Sequence, residues 1–170
     1  MIYNIRSMKR EDATVLHHAF SRQGINKSLD LLLSYYSEQH RGDRKVLIAE
    51  YENEILGYLT ILRTSKIGPY KEKMIPEIDD LNVLTAYQHC GLASYLIDKA
   101  EKVAVKYCDY LSVAISPLDT HGIAQTMFAN RNYKFLATGL WDDDKKIELN
   151  DIVHQNIKIY MIKSLDKSIR

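Results

Sequence analysis

The amino-acid sequence predicts an α/β or α+β fold with a mixed sheet, formed by one domain over residues 1–170. Strand patterns of period two and helical patterns of period 3.6 follow one another in mixed order along the chain. A length of 170 residues is typical of one domain. Three prolines, no internal repeat and no low-complexity tract are found, so no linker and no second domain are predicted.

The composition excludes several classes of protein. Hydrophobic residues make up 46% and charged residues 26%, which is typical of a globular protein and excludes a disordered or collagen-like chain. The 23 basic and 22 acidic residues give a formal charge of +1, so no nucleic-acid partner is expected. Cys90 and Cys108 show neither a disulfide nor a zinc pattern, and the six histidines show no ligand spacing, so no metal is expected.

From the sequence we expect neither a secretory signal nor a membrane span. Met1 is followed directly by Ile-Tyr-Asn-Ile-Arg, without a long apolar run. The longest stretch free of Asp, Glu, Lys and Arg is Leu81 to Ile97, and it contains six polar or small residues that a membrane span would exclude. We therefore expect a cytoplasmic protein with reduced thiols and no membrane partner.

The first half of the chain predicts one strand, two helices and a hairpin. The predicted ranges are Ile2 to Arg6, Arg10 to Phe20, a second helix from about Leu29, Lys45 to Tyr51 and Ile55 to Arg63. Apolar residues at helical spacing predict both helices, and Gly24 ends the first. Asn26 or Ser28 caps the second, which ends near Gly42. Gly57 indicates a bulge or a close backbone approach within the hairpin.

A further strand is predicted from Ile75 to Leu84, and its composition is unusual. It carries Glu77, Asp79 and Asp80 among apolar residues, although strands ordinarily avoid acidic side chains. These acids are therefore candidates for a chemical role, with a solvated strand end or a partner for Arg or Lys as the alternative.

The clearest helix runs from Gly91 to Tyr107. Its apolar stripe ends at Tyr107, and Glu101 belongs to the face predicted to be in water. Tyr110 to Ile115 follows as a nearly continuous apolar strand, the kind that is buried on both faces.

One helix and two closing strands are predicted in the last third of the chain. The helix spans His121 to Arg131, with Ile123 on its apolar face. Tyr133 to Ala137 and Ile157 to Ile162 are the predicted strands, with a long polar loop between them.

The most informative stretch connects the acidic strand to the clearest helix. Gln88-His89-Cys90-Gly91-Leu92-Ala93 follows Val83, and Gly91 and Ala93 allow a close approach of the backbone to a ligand. The free N–H groups and the dipole of a helix N-terminus favour a phosphate or pyrophosphate. Neither a Walker loop nor the spaced glycines of the dinucleotide fingerprint are found. The alternative is an ordinary strand-to-helix turn.

These residues resemble the GNAT superfamily of N-acetyltransferases. That family has the pattern Gln/Arg-x-x-Gly-x-Gly/Ala five residues after a strand that ends Leu-x-Val, as Gln88 to Ala93 does here after Val83. The order of strands and helices also matches, from Tyr3 to about Ser164. The resemblance implies a central mixed, mostly antiparallel twisted sheet flanked by helices.

The resemblance further implies acetyl-CoA as co-substrate and assigns residues to it. The backbone from Gln88 through His89, Cys90, Gly91, Leu92, Ala93 and Ser94 would bind the pyrophosphate of coenzyme A. Leu81 and Val83 would pair through their backbone with the pantetheine arm, and the Val83 N–H would polarise the thioester carbonyl. His121 stands where the family has a coenzyme A-binding asparagine.

Acetyl transfer to an amine requires a group that takes the proton of the amine. Glu77 lies four residues before Leu81, where several GNAT enzymes have their glutamate base, and Asp79 and Asp80 are the alternatives. Phe128 replaces the tyrosine that usually serves as general acid. Either the thiolate leaves without an acid, because a thiol pKa is near 8.5, or the protein binds acetyl-CoA with little turnover.

The resemblance leaves two hypotheses for function. The first is transfer of an acetyl group to a primary amine of a small molecule by direct attack, and the alternative is an acyl-CoA-binding module. Trp141 beside Asp142-Asp143-Asp144 is a candidate contact for a cationic amine, with a solvated acidic turn as the alternative. Tyr133 is expected in the core. The last strands often build dimers in this family, which makes a homodimer possible.

Overall fold

The computed structural model describes residues 3–117, 122–152 and 156–165, without the side chains of residues 136–138. The chain forms two compact units, Met1–Arg63 with Asp79–Ala100 and Thr64–Ile78 with Glu101–Arg170. The prediction of a single domain stays a prediction. No helix within the described ranges has both the length and the apolar character that crossing a membrane requires.

Eight strands and four α-helices are described, together with one short 3₁₀ turn. In chain order they are β1 Asn4–Ser7, α1 Asp12–Ser21, α2 Leu29–Arg41, β2 Arg44–Tyr51, β3 Glu54–Leu62, β4 Glu77–Val83, the turn Thr85–Tyr87, α3 Leu92–Ala104, β5 Tyr110–Ile115, α4 Gly122–Asn130, β6 Lys134–Asp142, β7 Lys145–Lys146 and β8 Ile157–Ser164. Of the six strand pairs with a described register, five are antiparallel and one, β4 with β5, is parallel. The predicted fold class, mixed and mostly antiparallel, is therefore confirmed.

In the first unit, helices α1 and α2 cover strands β2 and β3. Apolar residues from all four elements form one buried cluster, which includes Leu16, Phe20, Leu32, Ile48 and Tyr58. Each buried side chain of this size contributes roughly 1.5–3 kcal/mol to stability. The predicted apolar spacing of both helices is confirmed by this packing.

The end signals of α2 follow the sequence prediction. Ser28 is the N-cap, and its hydroxyl accepts a hydrogen bond from the Leu31 N–H at 3.2 Å. Gly42 ends the helix with a φ of 85°, a conformation that costs glycine little. Of the two predicted caps, the structure therefore selects Ser28 over Asn26.

Gly57 lies where β3 meets β4. A Cβ atom at this position would lie 2.5 Å from the Asn82 carbonyl oxygen and 3.0 Å from the Val83 Cα. The register between β2 and β3 shifts beside it, because Ala49 pairs with Gly57 whereas Glu50 pairs with Ile55. Both features predicted for Gly57, a bulge and a close backbone approach, are confirmed.

In the second unit, the strand order is β4, β5, β8, β6 and β7. The predicted long loop between the closing strands is wrong in its first part, since β6 continues to Asp142 and forms a hairpin with β7. Trp141 pairs with Lys158 and with Lys146, which satisfies the backbone groups of this polar stretch. The charged side chains of this stretch are typical of a loop, so the sequence did not indicate the strand.

Several side chains differ in burial from the prediction, and Tyr110 of β5 is one of them, since it is exposed. Glu101 of α3 is only 8% exposed, because it bonds to Lys163 at 2.8 Å and lies 3.6 Å from Arg131. Tyr107 lies beyond the end of α3 and is exposed, as is Ile123 of α4. A buried carboxylate needs cationic partners, and these come from distant parts of the sequence.

Replacement of Gly57 by alanine is expected to destabilise the protein by ~1–3 kcal/mol. The new methyl group would clash with main-chain atoms, which cannot move to another rotamer as a side chain can. Urea denaturation measures the loss. Gly122→Ala is the matched control, since nothing lies within 4 Å of a Cβ there. It should change the free energy of unfolding by less than about 1 kcal/mol. Equal losses in both variants would contradict the steric explanation.

Candidate functional site

The connection from β4 to α3 is held in place by side-chain hydrogen bonds. The Gln88 side-chain amide donates to the Val83 carbonyl at 3.1 Å. Gln23 accepts from both the N–H and the hydroxyl of Thr85, at 3.1 and 2.9 Å. The Tyr87 hydroxyl donates to Glu54 at 2.9 Å. These bonds define the path of the chain before α3 begins, so this turn is ordered by specific contacts.

The last residues before α3 adopt left-handed conformations that aim the backbone into the helix. His89 has a φ of 61° and Gly91 a φ of 85°. Leu92 opens α3 and is buried, while Ala93 and Ser94 are half-buried. Within the described part of the chain, the N–H groups of residues 89–94 have no protein acceptor. Six such donors next to the positive end of a helix dipole form a site suited to an anion.

Cys90 lies in this loop and is exposed. Its thiol donates to the Tyr87 carbonyl at 2.8 Å and accepts from the Tyr3 hydroxyl at 3.3 Å. The hydrogen bond to Cys90 raises the pKa of the Tyr3 phenol. Neither partner is a general base, so the contacts do not form the base-activated arrangement of a nucleophilic cysteine.

Asp80 of β4 is surrounded by hydrogen-bond donors. Its Oδ2 atom accepts from the Tyr58 hydroxyl at 2.6 Å, from the Lys27 ammonium at 2.8 Å and from the Tyr35 hydroxyl at 3.1 Å. Its Oδ1 atom accepts from the Asn82 amide at 2.5 Å. We call these five residues the Asp80 cluster. Burial, followed by the negative charge of Asp80, raises the pKa of both tyrosines, so both remain neutral donors.

Asp79 has a different partner. Its Oδ2 atom accepts from Arg44 at 2.6 Å, and its side chain is 33% exposed. Arg44 is 5% exposed and also donates to Glu38 at 2.6 Å and to Thr60 at 2.7 Å. Its guanidinium lies 4.2 Å from the centre of the Tyr35 ring. Asp79 therefore neutralises a buried arginine.

Glu77 begins β4 and belongs to the second unit. It is 2% exposed, and its Oε2 atom accepts from the Ser65 hydroxyl at 2.6 Å. The backbone of Glu77 pairs with Ser112 of β5. The structure thus brings Asp79 and Asp80 into the first unit with the backbone of Leu81 and Val83, and encloses Glu77 in the second.

The other predicted site residues lie in the second unit or outside the description. Phe128 of α4 is buried, and its ring packs edge-on against Tyr133 at a centroid distance of 5.0 Å. Tyr133 is a core residue, as predicted. His121 lies outside the described residues.

The predicted acidic patch near Trp141 is partly neutralised within the second unit. Asp144 forms an ion pair with Lys71 and accepts from the Gly68 N–H at 3.2 Å. The hydrogen bond from Lys71 lowers the pKa of Asp144. Trp141 packs edge-on against Tyr160 at 6.4 Å. These contacts agree with the alternative of an exposed acidic turn more than with a cation site.

Sequence reasoning missed the partners of the two aspartates. Lys27, Tyr35 and Arg44 are 35 or more residues away from them in the chain, and no local pattern connects the two groups. One signal was available for Tyr58, because a phenol in a buried strand needs a hydrogen-bond partner. Among the described residues, no group of three His, Cys, Asp or Glu side chains is placed to hold a metal ion.

Comparison with known proteins gives a family and a fold. A family model described as the acetyltransferase (GNAT) family matches residues 11–125. No curated protein matches the sequence. Among solved structures, an N-acetyltransferase from Staphylococcus aureus Mu50 has a TM-score of 0.71 at 16% identity, covering 98% of this chain and 100% of that one.

Two further structures have the same fold. An acetyltransferase of the GNAT family from Streptococcus pneumoniae has a TM-score of 0.67 at 15% identity and covers 96% of this chain and 100% of its own. The PaiA N-acetyltransferase from Thermoplasma acidophilum, solved in complex with coenzyme A, has a TM-score of 0.65 at 16% identity and covers 96% and 99%.

Because of the tyrosines of the Asp80 cluster, we expect the folded protein to lose stability at alkaline pH. In the unfolded chain a tyrosine loses its proton near pH 10.0, whereas in the folded protein the raised pKa of Tyr58 keeps the proton bound. Above that pH the unfolded state binds fewer protons, so the free energy of unfolding falls as pH rises. The stabilisation is complete below pH 10 and decreases above it.

Urea denaturation of wild type and Tyr58→Phe from pH 7 to pH 11 tests this. The variant should be less stable at pH 7 by ~1–3 kcal/mol, because its hydrogen bond to Asp80 is lost. Between pH 10 and pH 11 it should lose less stability than wild type. If the free energies of unfolding of wild type and variant fall in parallel above pH 10, the raised pKa assigned to Tyr58 is contradicted.

Proposed function

The chain belongs to the acetyltransferase (GNAT) family, as its sequence resemblance predicts, and we propose that it transfers the acetyl group of acetyl-CoA to a primary amine of a small molecule. The observation that carries the proposal is the row of unpaired N–H groups from residue 89 to residue 94 at the start of α3. It lies directly after β4, which carries Asp79 and Asp80. An anion site and a carboxylate thus occur on one continuous segment.

Coenzyme A binding is the first part of the proposal. The N–H groups of residues 89–94 would receive the pyrophosphate, since backbone donors at a helix N-terminus favour that charge. Leu81 and Val83 of β4 would pair through their main chain with the pantetheine arm. PaiA, a structure of the same fold, is solved with coenzyme A, which supports this ligand. A contribution from Phe128 or His121 is part of the same proposal.

The second part is a carboxylate that takes the proton of the acceptor. An alkylammonium has a pKa near 10.4, so deprotonating it at pH 7 costs roughly 4–5 kcal/mol. A carboxylate beside the ammonium attracts it and receives its proton, directly or through one water. Asp80 is 14% exposed and already contacts an ammonium group, whereas Glu77 is enclosed and Asp79 is paired with Arg44. We therefore assign this role to Asp80.

The reaction then proceeds by direct attack. The carboxylate takes one proton from the ammonium group, and the neutral amine nitrogen attacks the thioester carbonyl carbon. A C–N bond forms, and the second proton of the nitrogen passes to water. The C–S bond breaks, and coenzyme A leaves as a thiolate that takes a proton from water. Because a thiol has a pKa near 8.5, the thiolate is a tolerable leaving group without a tyrosine acid.

The specific observation for a second function is Phe128. An apolar ring at the position of the family's usual tyrosine favours an acyl-CoA-binding module with little turnover. Thiol release by wild type and by Phe128→Tyr separates the two. On the enzyme hypothesis this variant changes the rate of thiol release less than about threefold, since thiolate departure needs no acid. Acetyl-CoA binding without thiol release in either protein, over a panel of small amines, would support the binding module.

Gly91→Ala is expected to weaken acetyl-CoA binding at least about tenfold, because a side chain strains the left-handed backbone at φ 85° and moves the donors. Calorimetric titration measures the affinity. Gly42→Ala is the matched control, with a φ of 85° and equally open surroundings at the end of α2. It should cost similar stability and leave the affinity unchanged. If folded wild type shows no detectable binding of acetyl-CoA, the loop is an ordinary turn and not an anion site.

Asp80→Asn is expected to lower kcat/KM by about 10²–10⁴ with the best acceptor of the panel, because the amide cannot take a proton. Calorimetry with acetyl-CoA should show an unchanged affinity, which separates chemistry from binding. Glu77→Gln is the comparison, with an expected loss below about tenfold. A larger loss of kcat/KM in Glu77→Gln than in Asp80→Asn would mean that Glu77 is the base.

A further inference from the structure

The ammonium group of Lys27 lies within the Asp80 cluster. Its Nζ atom is 2.8 Å from Asp80 Oδ2, the same oxygen that accepts from the hydroxyls of Tyr35 and Tyr58. The Lys27 side chain is 18% exposed, so the group is enclosed yet reachable from water. The imidazole Nδ1–H of His17 donates to the Lys27 carbonyl at 2.7 Å and holds the main chain of this residue.

Lys27 is also the charge partner that Asp80 depends on. Among the described residues it is the one cation within ion-pair distance of Asp80. Arg44, the other buried cation nearby, is engaged by Asp79 and Glu38. A partly buried carboxylate without a cation is costly, so removal of the Lys27 ammonium leaves a site that attracts another one.

We propose that the Asp80 cluster binds the primary ammonium group of the acceptor, an identity of the ligand that rests on the proposed function. Lys27 of the same chain competes with the acceptor for the cluster. The acceptor displaces Lys27 when it binds. A primary ammonium has three N–H donors, which match one carboxylate oxygen and the oxygens of two phenols. Because the straight side chain of lysine fits, the acceptor class is an unbranched primary alkylamine.

Lys27→Ala tests the site without acetyl-CoA. The probe is n-propylammonium chloride, which has the three carbons and the ammonium group that this substitution removes. Its binding is followed by two-dimensional NMR through the side-chain amide of Asn82, which donates to Asp80. The variant should bind the probe at least about tenfold more tightly than wild type, because a tethered lysine competes at a millimolar or higher effective concentration. The probe should also raise the Tm of the variant.

Four controls define the site. Lys27→Met fills the same space without a charge and should not gain affinity for the probe. Lys27→Ala combined with Asp80→Asn should lose the gain, because the carboxylate is absent. Lys145→Ala removes an exposed lysine paired with Asp151 in the second unit and should behave as wild type. N,N,N-trimethylpropylammonium, which has no N–H donor, should not bind.

Equal affinity of the probe for wild type and Lys27→Ala, or no binding to either, would overturn the proposal. If Lys27→Ala does not fold, the Nζ resonance of Lys27 in wild type is measured instead. Saturating propylammonium should move that resonance to the position of an exposed lysine, and an unmoved resonance would contradict displacement. Since acetyl-CoA binding is titrated separately, failure of this inference and failure of the proposed acetyl transfer give different results.

Discussion

The contact between Gly57 and the main chain of Asn82 and Val83 is the constraint on which the rest of the first unit depends. With no Cβ at residue 57, β3 and β4 approach to a distance that any other residue would prevent. This approach places Asp79 and Asp80 beside groups that α2 and β2 supply. It also lies at the end of β4, where the chain leaves the strand for the turn that we propose as the anion site. One missing side chain thus positions both parts of the candidate site.

Electrostatics then gives each of the three acids of β4 a different environment. Asp79 neutralises the buried guanidinium of Arg44, and Glu77 is enclosed and accepts from a serine hydroxyl. Within the described ranges Asp80 has one cationic partner, Lys27, and two phenols held neutral by burial and by its own charge. A carboxylate held by one flexible cation exchanges partners more readily than one held by a rigid arginine. The three carboxylates of one strand therefore have different partners, and the reactive role that we propose belongs to Asp80.

Much of the fold and part of the site were predictable from local patterns. The end of α2 near Gly42 and the bulge or close approach at Gly57 were predicted from residue type and position alone, and Ser28 was one of two predicted caps of α2. The turn from residue 88 to residue 93 was recognised for the same reason. The burial of Glu101 was missed because its partners Arg131 and Lys163 are distant in sequence. The hairpin at Trp141 was missed because its charged residues are typical of a loop.

The sequence by itself determined the family and the mixed sheet and predicted a phosphate-binding turn, since periodicity, glycine positions and motif spacing are local properties that require no knowledge of distant contacts. Only the tertiary structure decided which acid of β4 has a replaceable cation. That choice depends on Lys27, Tyr35 and Tyr58, which reach Asp80 from separate elements. The strength of a charge interaction depends on distance and burial, and folding sets both quantities for residues far apart in the chain.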